Sequence, residues 1–312
     1  MSQSEQHEVE HQITIDAPAD RIYRLIADVE GWPQLFGPTI YADYLERGER
    51  EELIRIWATA NGEVKNWTSR RALDPDQLRI DFRQAVSAAP IAAMGGAWVI
   101  EAVSDTRSRV RLLHDYRAVA DHQLGWIDKA VDRNSRAELA ALKTTVEHLD
   151  SDPEAMFSFE DTVHIDGSAS DAFDFVNDAQ LWVDRLPHVA AVRLDEAANG
   201  LQTLEMETRS TDGATHLTKS YRVTFPHRKI AYKQVTMPKL MTLHTGYWTF
   251  RATETGVAAS SQHTVVLNTG NITAVLGRDA NVATARDYVR NALSTNSTAT
   301  LTLAKHYAES GR

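Results

Sequence analysis

Three residues spaced by two in the stretch "NWTSRR", Trp67, Ser69 and Arg71, could do chemistry if they share the face of a β-strand that looks inward. A guanidinium buried with them must be paired, hydrogen-bonded or set in a wet cavity, because an uncompensated buried charge costs several kcal/mol, roughly. Two readings follow. In one, Ser69 and a neighbouring Gln84 bond local backbone groups and Arg71 reaches a carboxylate. In the other, the three line a ligand pocket, with the next strand adding Ile80, Phe82 and Gln84. The serine and arginine recur in "TKSYR" as Ser220 and Arg222, with Thr218 in place of the tryptophan and Ile230, Tyr232 and Gln234 on the following strand. The recurrence favours the pocket.

The repetition extends along the chain. A shift of 150 lays "ITIDAPA" over "VHIDGSA" and matches Asp28 with Asp178, Trp32 with Trp182, Gly96 with Gly246 and Trp98 with Trp248. Ser69 and Arg71 meet their echoes after a one-residue slip, which a shorter turn in the second copy then undoes. "NSRAELAALK" and "NSTATLTLAK" close the match, after an insertion in the second copy. These observations predict two domains, 1–152 and 153–312, with the boundary in the Ser-Asp-Pro cluster of "HLDSDPEAM".

Each copy reads as a strand, a short helix, a run of period-2 segments and a long amphipathic helix, over about 125–149 and 280–309. Pro18 and Ser168 or Ser170 suit the short-helix starts. This is α+β order, predicting a curved antiparallel sheet wrapped around the long C-terminal helix, with an interior cavity between them.

The 312 residues carry no cysteine and a net charge of -10, split as -7 over residues 1–150 and -3 over the rest. Thiolate chemistry and cysteine zinc sites are excluded, and a general nucleic-acid binder is disfavoured. Arg278, Arg286 and Arg290 could recruit an acidic partner locally or form a solvated helix face. His7 and His11 lie four apart in a polar segment; there is no "HExxH", phosphate loop or "GxSxG", so no metal and no cofactor is expected. The polar N-terminus and the absence of a long apolar run predict a cytoplasmic protein that does not enter a membrane.

"GWPQLF", "W-x-S-x-R" before an Asp-Pro turn, Trp98 after a glycine pair, and "DRNSRAEL" together resemble the two-domain aromatase/cyclases of bacterial type II polyketide synthases, whose domains are helix-grip folds of the START or Bet v 1-like kind. The resemblance implies a poly-β-ketone tethered through phosphopantetheine to an acyl carrier protein. It also implies, in antibiotic biosynthesis, first-ring closure between carbons seven and twelve by aldol condensation and dehydration, or aromatisation of a ring already closed on a substrate reduced at carbon nine. A methylene between two ketones is already acidic, so such an enzyme must fix conformation, stabilise an enolate and move protons. By resemblance Arg71 holds the developing oxyanion, and Ser69, His114 and Asn134 relay protons or position water. Arg222, Ser220, His263 and Asn296 are the second copy's counterparts. Trp32, Trp67, Phe82, Gln84, Met94 and Trp98 would wall the first pocket, and Trp182, Thr218, Tyr232, Gln234, Tyr247 and Trp248 the second. Single-domain relatives carry a tyrosine where this sequence has Thr39, a further wall position, with Tyr41 two residues on. The alternative is a carrier or sensor of hydrophobic small molecules, which needs walls and one orienting group but no proton relay.

Overall fold

The computed structural model describes residues 5–60, 63–197, 200–209 and 215–310, and the chain divides into two compact units, Met1–Ser151 and Asp152–Arg312. The first runs β1 (His7–Ile15), α1 (Ala19–Ala27), α2 (Trp32–Leu35), β2 (Thr39–Arg47), β3 (Glu51–Ala60), β4 (Glu63–Asp74), β5 (Arg79–Gln84), β6 (Ile91–Ser104), β7 (Arg107–Ala118) and α3 (Leu124–Ser151). The second repeats it as β8 (Met156–Ile165), α4 (Ala169–Asn177), α5 (Trp182–Arg185), β9 (Val189–Ala197), β10 (Leu201–Arg209), β11 (Thr215–Phe225), β12 (Lys229–Thr236), β13 (Met241–Thr253) and β14 (Gly256–Leu267). It then adds α6 (Ile272–Leu276) before the long α7 (Val282–Glu309), and α6 lies within the insertion seen in the sequence.

Both sheets are antiparallel and seven-stranded, with orders β1-β7-β6-β5-β4-β3-β2 and β8-β14-β13-β12-β11-β10-β9, so each first strand crosses to pair with the last. The α+β expectation of paired sheets and long C-terminal helices holds. Local chemistry explains the helix starts. Pro18 enters α1 without an N–H that would need a partner, while Ser168 Oγ accepts from Asp171 N at 3.0 Å to cap α4. Ser170 instead donates to Asp174 at 3.4 Å. Asn281 Oδ1 caps α7 by accepting from Thr284 N at 2.9 Å.

The long helices are fastened to the first strands identically in both copies. Lys143 Nζ donates to the Thr14 carbonyl at 3.0 Å and Lys305 Nζ to the His164 carbonyl at 2.8 Å. One turn later Glu147 and Glu309 accept the backbone N–H groups of Asp16 and Asp166. Between helix and sheet each unit has its own core. Ile15, Ile22, Ile26, Trp98, Leu139 and Leu142 anchor the first, and Ile165, Phe173, Val176, Ile230, Phe250 and Leu301 the second. Each fully buried side chain of this size contributes about 1.5–3 kcal/mol.

Register carries the duplication into space. Arg71 pairs with Phe82, Phe82 with Gly96 and Gly96 with His114 across four strands; the second copy sets Arg222, Tyr232, Gly246 and His263 in the same row. The glycines are needed there. A Cβ on Gly96 would collide with the Leu113 carbonyl and come 2.8 Å from the Phe82 ring, and one on Gly246 would meet the Gln262 carbonyl and the Tyr232 hydroxyl.

Candidate active site

Along β4, Trp67, Ser69 and Arg71 do face inward while Arg70 is exposed, as strand alternation requires. Their chemistry differs from the pocket expectation. Ser69 Oγ donates to the Arg83 carbonyl at 3.2 Å. Arg71 Nη2 donates to the Ala27 carbonyl at 2.8 Å and lies 3.3 Å from Glu52 Oε2, while Nη1 donates to the Ile26 carbonyl at 3.4 Å. Its guanidinium also lies over the Trp32 ring, 5.4 Å from the centroid, and Trp32 Nε1 donates to the same Ile26 carbonyl at 3.0 Å. Arg71 and Trp32 therefore clasp the last carbonyls of α1, the negative end of the helix, and supply donors those orphan acceptors lack. Burial works against both charges, raising Glu52 and lowering Arg71, and their mutual attraction opposes it. The first of the two sequence readings is the one this structure realises at Ser69 and Arg71.

The second copy keeps the clasp and drops the carboxylate. Arg222 Nη2 donates to the Val176 carbonyl at 2.9 Å and stacks on Trp182 at 5.5 Å, while Trp182 Nε1 donates to the Phe175 carbonyl at 3.4 Å. Opposite Arg222, where β3 carries Glu52, β10 carries Gln202. Among the described residues, the buried Arg222 Nη1 and Gln202 Oε1 have no hydrogen-bond partner. Burial lowers the Arg222 guanidinium to about 10. Ser220 and Thr218 are buried beside it, the latter donating to the Met206 carbonyl at 3.3 Å.

The titratable groups free of helix duty lie farther across each sheet. In the first copy His114 is set edge-on to Phe82, with Ser135 Oγ 3.4 Å from its Nδ1. Burial lowers the His114 imidazole to about 4, helped by the neighbouring His11, so it is neutral at physiological pH. His11 Nε2 bonds Asp132 at 2.8 Å. Glu138, one turn beyond Ser135 on α3, is raised to about 7 by burial. Gln84 Nε2 points at Met94 Sδ, 3.9 Å away, and Trp67 packs with Trp32 and Tyr44 against the β2–β3 core.

Several expected site residues lie elsewhere. Asn134 is exposed on α3; the next residue, Ser135, is buried and reaches His114, because a 100° step turns one residue out and its neighbour in. In α7 Ser297 is likewise buried, one residue beyond Asn296. Tyr247 lies on the opposite face of β13 from Trp248, with Lys229 Nζ 4.5 Å from its ring centroid. Trp98 and Trp248 belong to the packed cores, Trp98 against Phe36. Thr39 is buried at the start of β2, and Tyr41 packs on Trp57, 5.6 Å between centroids, on the other side from Ala42 and Tyr44. Arg286 and Arg290 lie over Phe157 and Phe159 at 5.1 and 5.6 Å, on the exposed side of α7.

Residues that sequence reasoning missed include Ser135, Glu138, His244 and Ser261, and His11, weighed there only as a metal ligand, instead neighbours His114. The 150-residue shift that pairs Met94 with His244 was a usable signal for one of them. A groove of about 570 Å³ runs past the charged residues Arg70, Arg79, Asp81, Arg83 and Asp115. Those side chains are engaged in ion pairs, Arg83 with Asp115, Arg79 with Asp81 and Arg70 with Glu46, and the groove is a poor candidate for the reacting site. A recess of about 520 Å³ lies at the Met94 end of the sheet, between the Ala89–Pro90 turn and the half-exposed Trp126 at the start of α3.

Comparison with known proteins agrees with this architecture. The family model for polyketide cyclase / dehydrase and lipid transport matches twice, over residues 6–147 and 156–309. The chain is 54% identical over 300 residues to a granaticin polyketide synthase bifunctional cyclase/dehydratase of Streptomyces virginiae, covering 94% of this chain and 97% of that protein. It is 43% identical over 311 residues to the actinorhodin polyketide synthase bifunctional cyclase/dehydratase of Streptomyces coelicolor, covering 96% of each. Among crystal structures, the di-domain ARO/CYC BexL from the BE-7585A biosynthetic pathway superposes with a TM-score of 0.92 at 59% identity, covering 97% of this chain and 99% of that one. The di-domain ARO/CYC StfQ from the steffimycin pathway gives 0.88 at 33%, covering 97% and 98%. With both copies matched and the relatives aligned end to end, the chain belongs to the polyketide cyclase/dehydrase and lipid transport family, as a two-domain member.

Proposed function

We propose that this protein is an aromatase/cyclase of aromatic polyketide biosynthesis, acting with type II polyketide synthase components in the cytoplasm. Its substrate is a poly-β-ketone presented on the phosphopantetheine of an acyl carrier protein. It directs the first aldol ring closure, between carbons seven and twelve, and the loss of water that makes the ring aromatic. The observation that carries the reading is the desolvated, neutral imidazole on the inner face of each sheet, half-buried His114 and buried His263, beside an aromatic ring and further hydroxyl groups. A neutral imidazole can take a proton from a β-diketone methylene and return one to a leaving hydroxyl. The role of the two arginines is to hold the α1 and α4 ends against the sheet, so that the walls formed by Trp32, Trp67 and Phe82 keep their shape.

Ser135 positions His114 through the 3.4 Å contact to Nδ1. The chemistry calls for no metal or organic cofactor, and metal analysis of the purified protein is expected to find no stoichiometric ion. The functional test is reconstitution with a minimal polyketide synthase and its carrier protein. A single cyclised aromatic product in place of the synthase's spontaneous mixture is expected. An unchanged mixture, with ligand binding intact, would favour a carrier or sensor instead.

A further inference from the structure

The second copy contains a buried polar cluster that the first does not. Tyr232 Oη lies 2.9 Å from His263 Nδ1 and 3.3 Å from His244 Nε2, and those two nitrogens are 3.0 Å apart. His244 Nδ1 donates to Gln234 Oε1 at 3.0 Å, and His263 Nε2 is 3.0 Å from Ser261 Oγ. The first copy builds the same positions from Phe82, Met94 and Leu112, with only the histidine and glutamine in common. The fold therefore does not require this polarity. A second imidazole, a phenol and a serine hydroxyl have been placed where an apolar solution exists, and burying such groups is favourable only when each is bonded.

The hydrogen-bond inventory shows what the cluster can do. Gln234 accepts from Nδ1 of His244 and so leaves its Nε2 as a bare acceptor. That lone pair faces both the Tyr232 hydroxyl and His263 Nδ1, so three heteroatoms within bonding distance share their protons. If His263 carries its proton on Nδ1, it satisfies His244. If it carries it on Nε2, it bonds Ser261, and Tyr232 then donates to the freed Nδ1. A proton can thus pass from one end of the cluster to the other without any side chain turning. Burial holds both imidazoles neutral, His263 at about 4 and His244 well below its ordinary value. The cluster continues through Phe159, stacked on His263 at 4.8 Å, to Phe157 at the edge of the sheet.

We propose that Tyr232, His244 and His263 form a proton-transfer centre in the second copy that dehydrates a ring-closed β-hydroxy ketone, while the first copy, with Phe82 and Met94 in place of Tyr232 and His244, closes the ring. This rests on the cyclase reading above. In the step, an imidazole nitrogen takes the proton from the carbon next to the ketone and the electron pair of that C–H bond becomes the new C=C bond. The neighbouring C–O bond breaks and its oxygen leaves as water, carrying a proton delivered by Tyr232. The proton taken from carbon passes along the cluster to restore the phenol. One proton enters and one leaves, so the centre is unchanged after each turnover and no co-reactant is needed.

The test uses the full chain with Tyr232→Phe, His244→Met and both together, substitutions that install the first copy's own residues. Each is assayed with a minimal polyketide synthase, and thermal melting checks folding. Ring closure at the wild-type position is expected to persist. The ratio of aromatic product to the ring-closed alcohol, one water heavier, should fall by about 100-fold, the loss typical of removing a positioned acid or base. Should His244→Met melt early, Tyr232→Phe, which removes a single oxygen, decides alone. A wild-type ratio in the folded variants overturns the proposal while leaving the cyclase reading intact. A wild-type protein that does not alter the synthase's products overturns the cyclase reading, and this proposal with it.

Discussion

At the scale of single residues, the two arginines make the sharpest contrast, because the same clasp is built with and without a carboxylate. Arg71→Ala would leave Glu52 buried and uncompensated, a loss of about 3–5 kcal/mol. Arg222→Ala strands only the Val176 carbonyl, at about 1–3 kcal/mol. Urea unfolding of the two variants should therefore rank Arg71→Ala as clearly the worse, and equal losses would contradict the assigned pairing. Lost activity in Arg71→Ala should track lost folding. Glu138 supplies a second prediction through its pKa, which burial raises from 4.5 to about 7. The folded state favours its neutral acid, so its contribution is present below pH 4.5 and lost as pH rises through 7. Glu138→Gln removes that loss. The variant should exceed the wild type in thermal midpoint at pH 8 and converge with it at pH 4.5. The two desolvated histidines act in the other direction. His114 and His263, lowered to about 4, stabilise fully above pH 6.5 and cease to as pH falls towards 4.

At the scale of elements, the helix starts and the glycine row decide whether the inner face is presented correctly. Ser168→Ala should cost about 1 kcal/mol by removing the acceptor for Asp171 N, measurable by chemical denaturation. Gly96→Ala and Gly246→Ala should do far more, since each new methyl meets a backbone carbonyl of the adjoining strand that cannot move alone. Both are expected to lose the cooperative melt. The order of strands and helices was legible because period-2 segments, turn residues and two long helical patterns agree at every level. The face of each strand followed from alternation, so Ser69, Arg71 and Phe82 were placed inward correctly. Tyr247 fell on the wrong side only because it was named alongside Trp248 without counting the pleat. Asn134 failed for the matching reason on a helix, where Ser135 one step away takes the buried position.

At the scale of the whole chain, two copies of one fold carry different interiors. Among the described residues each unit has hydrophobic clusters of its own, such as that around Ile22 and Leu142 in the first and that around Phe173 and Leu301 in the second. Residues 1–151 and 152–312 produced separately should each give a cooperative thermal transition and a far-ultraviolet spectrum of mixed strand and helix; a half that stays unfolded would show that it depends on the other. What the amino-acid order determined by itself was the duplication, the α+β architecture and the identity of the family, because periodicity and repeated motifs are local and survive divergence. What only the tertiary structure decided was the work of each polar side chain. Whether Arg71 meets a carboxylate, a helix end or a substrate depends on Glu52 and Ala27, which lie 19 and 44 positions away in the chain. The Tyr232, His244 and His263 cluster arises the same way, from three strands brought side by side. Hydrogen bonding is decided within about 3 Å, and no spacing along one strand reports which residue of another will stand there.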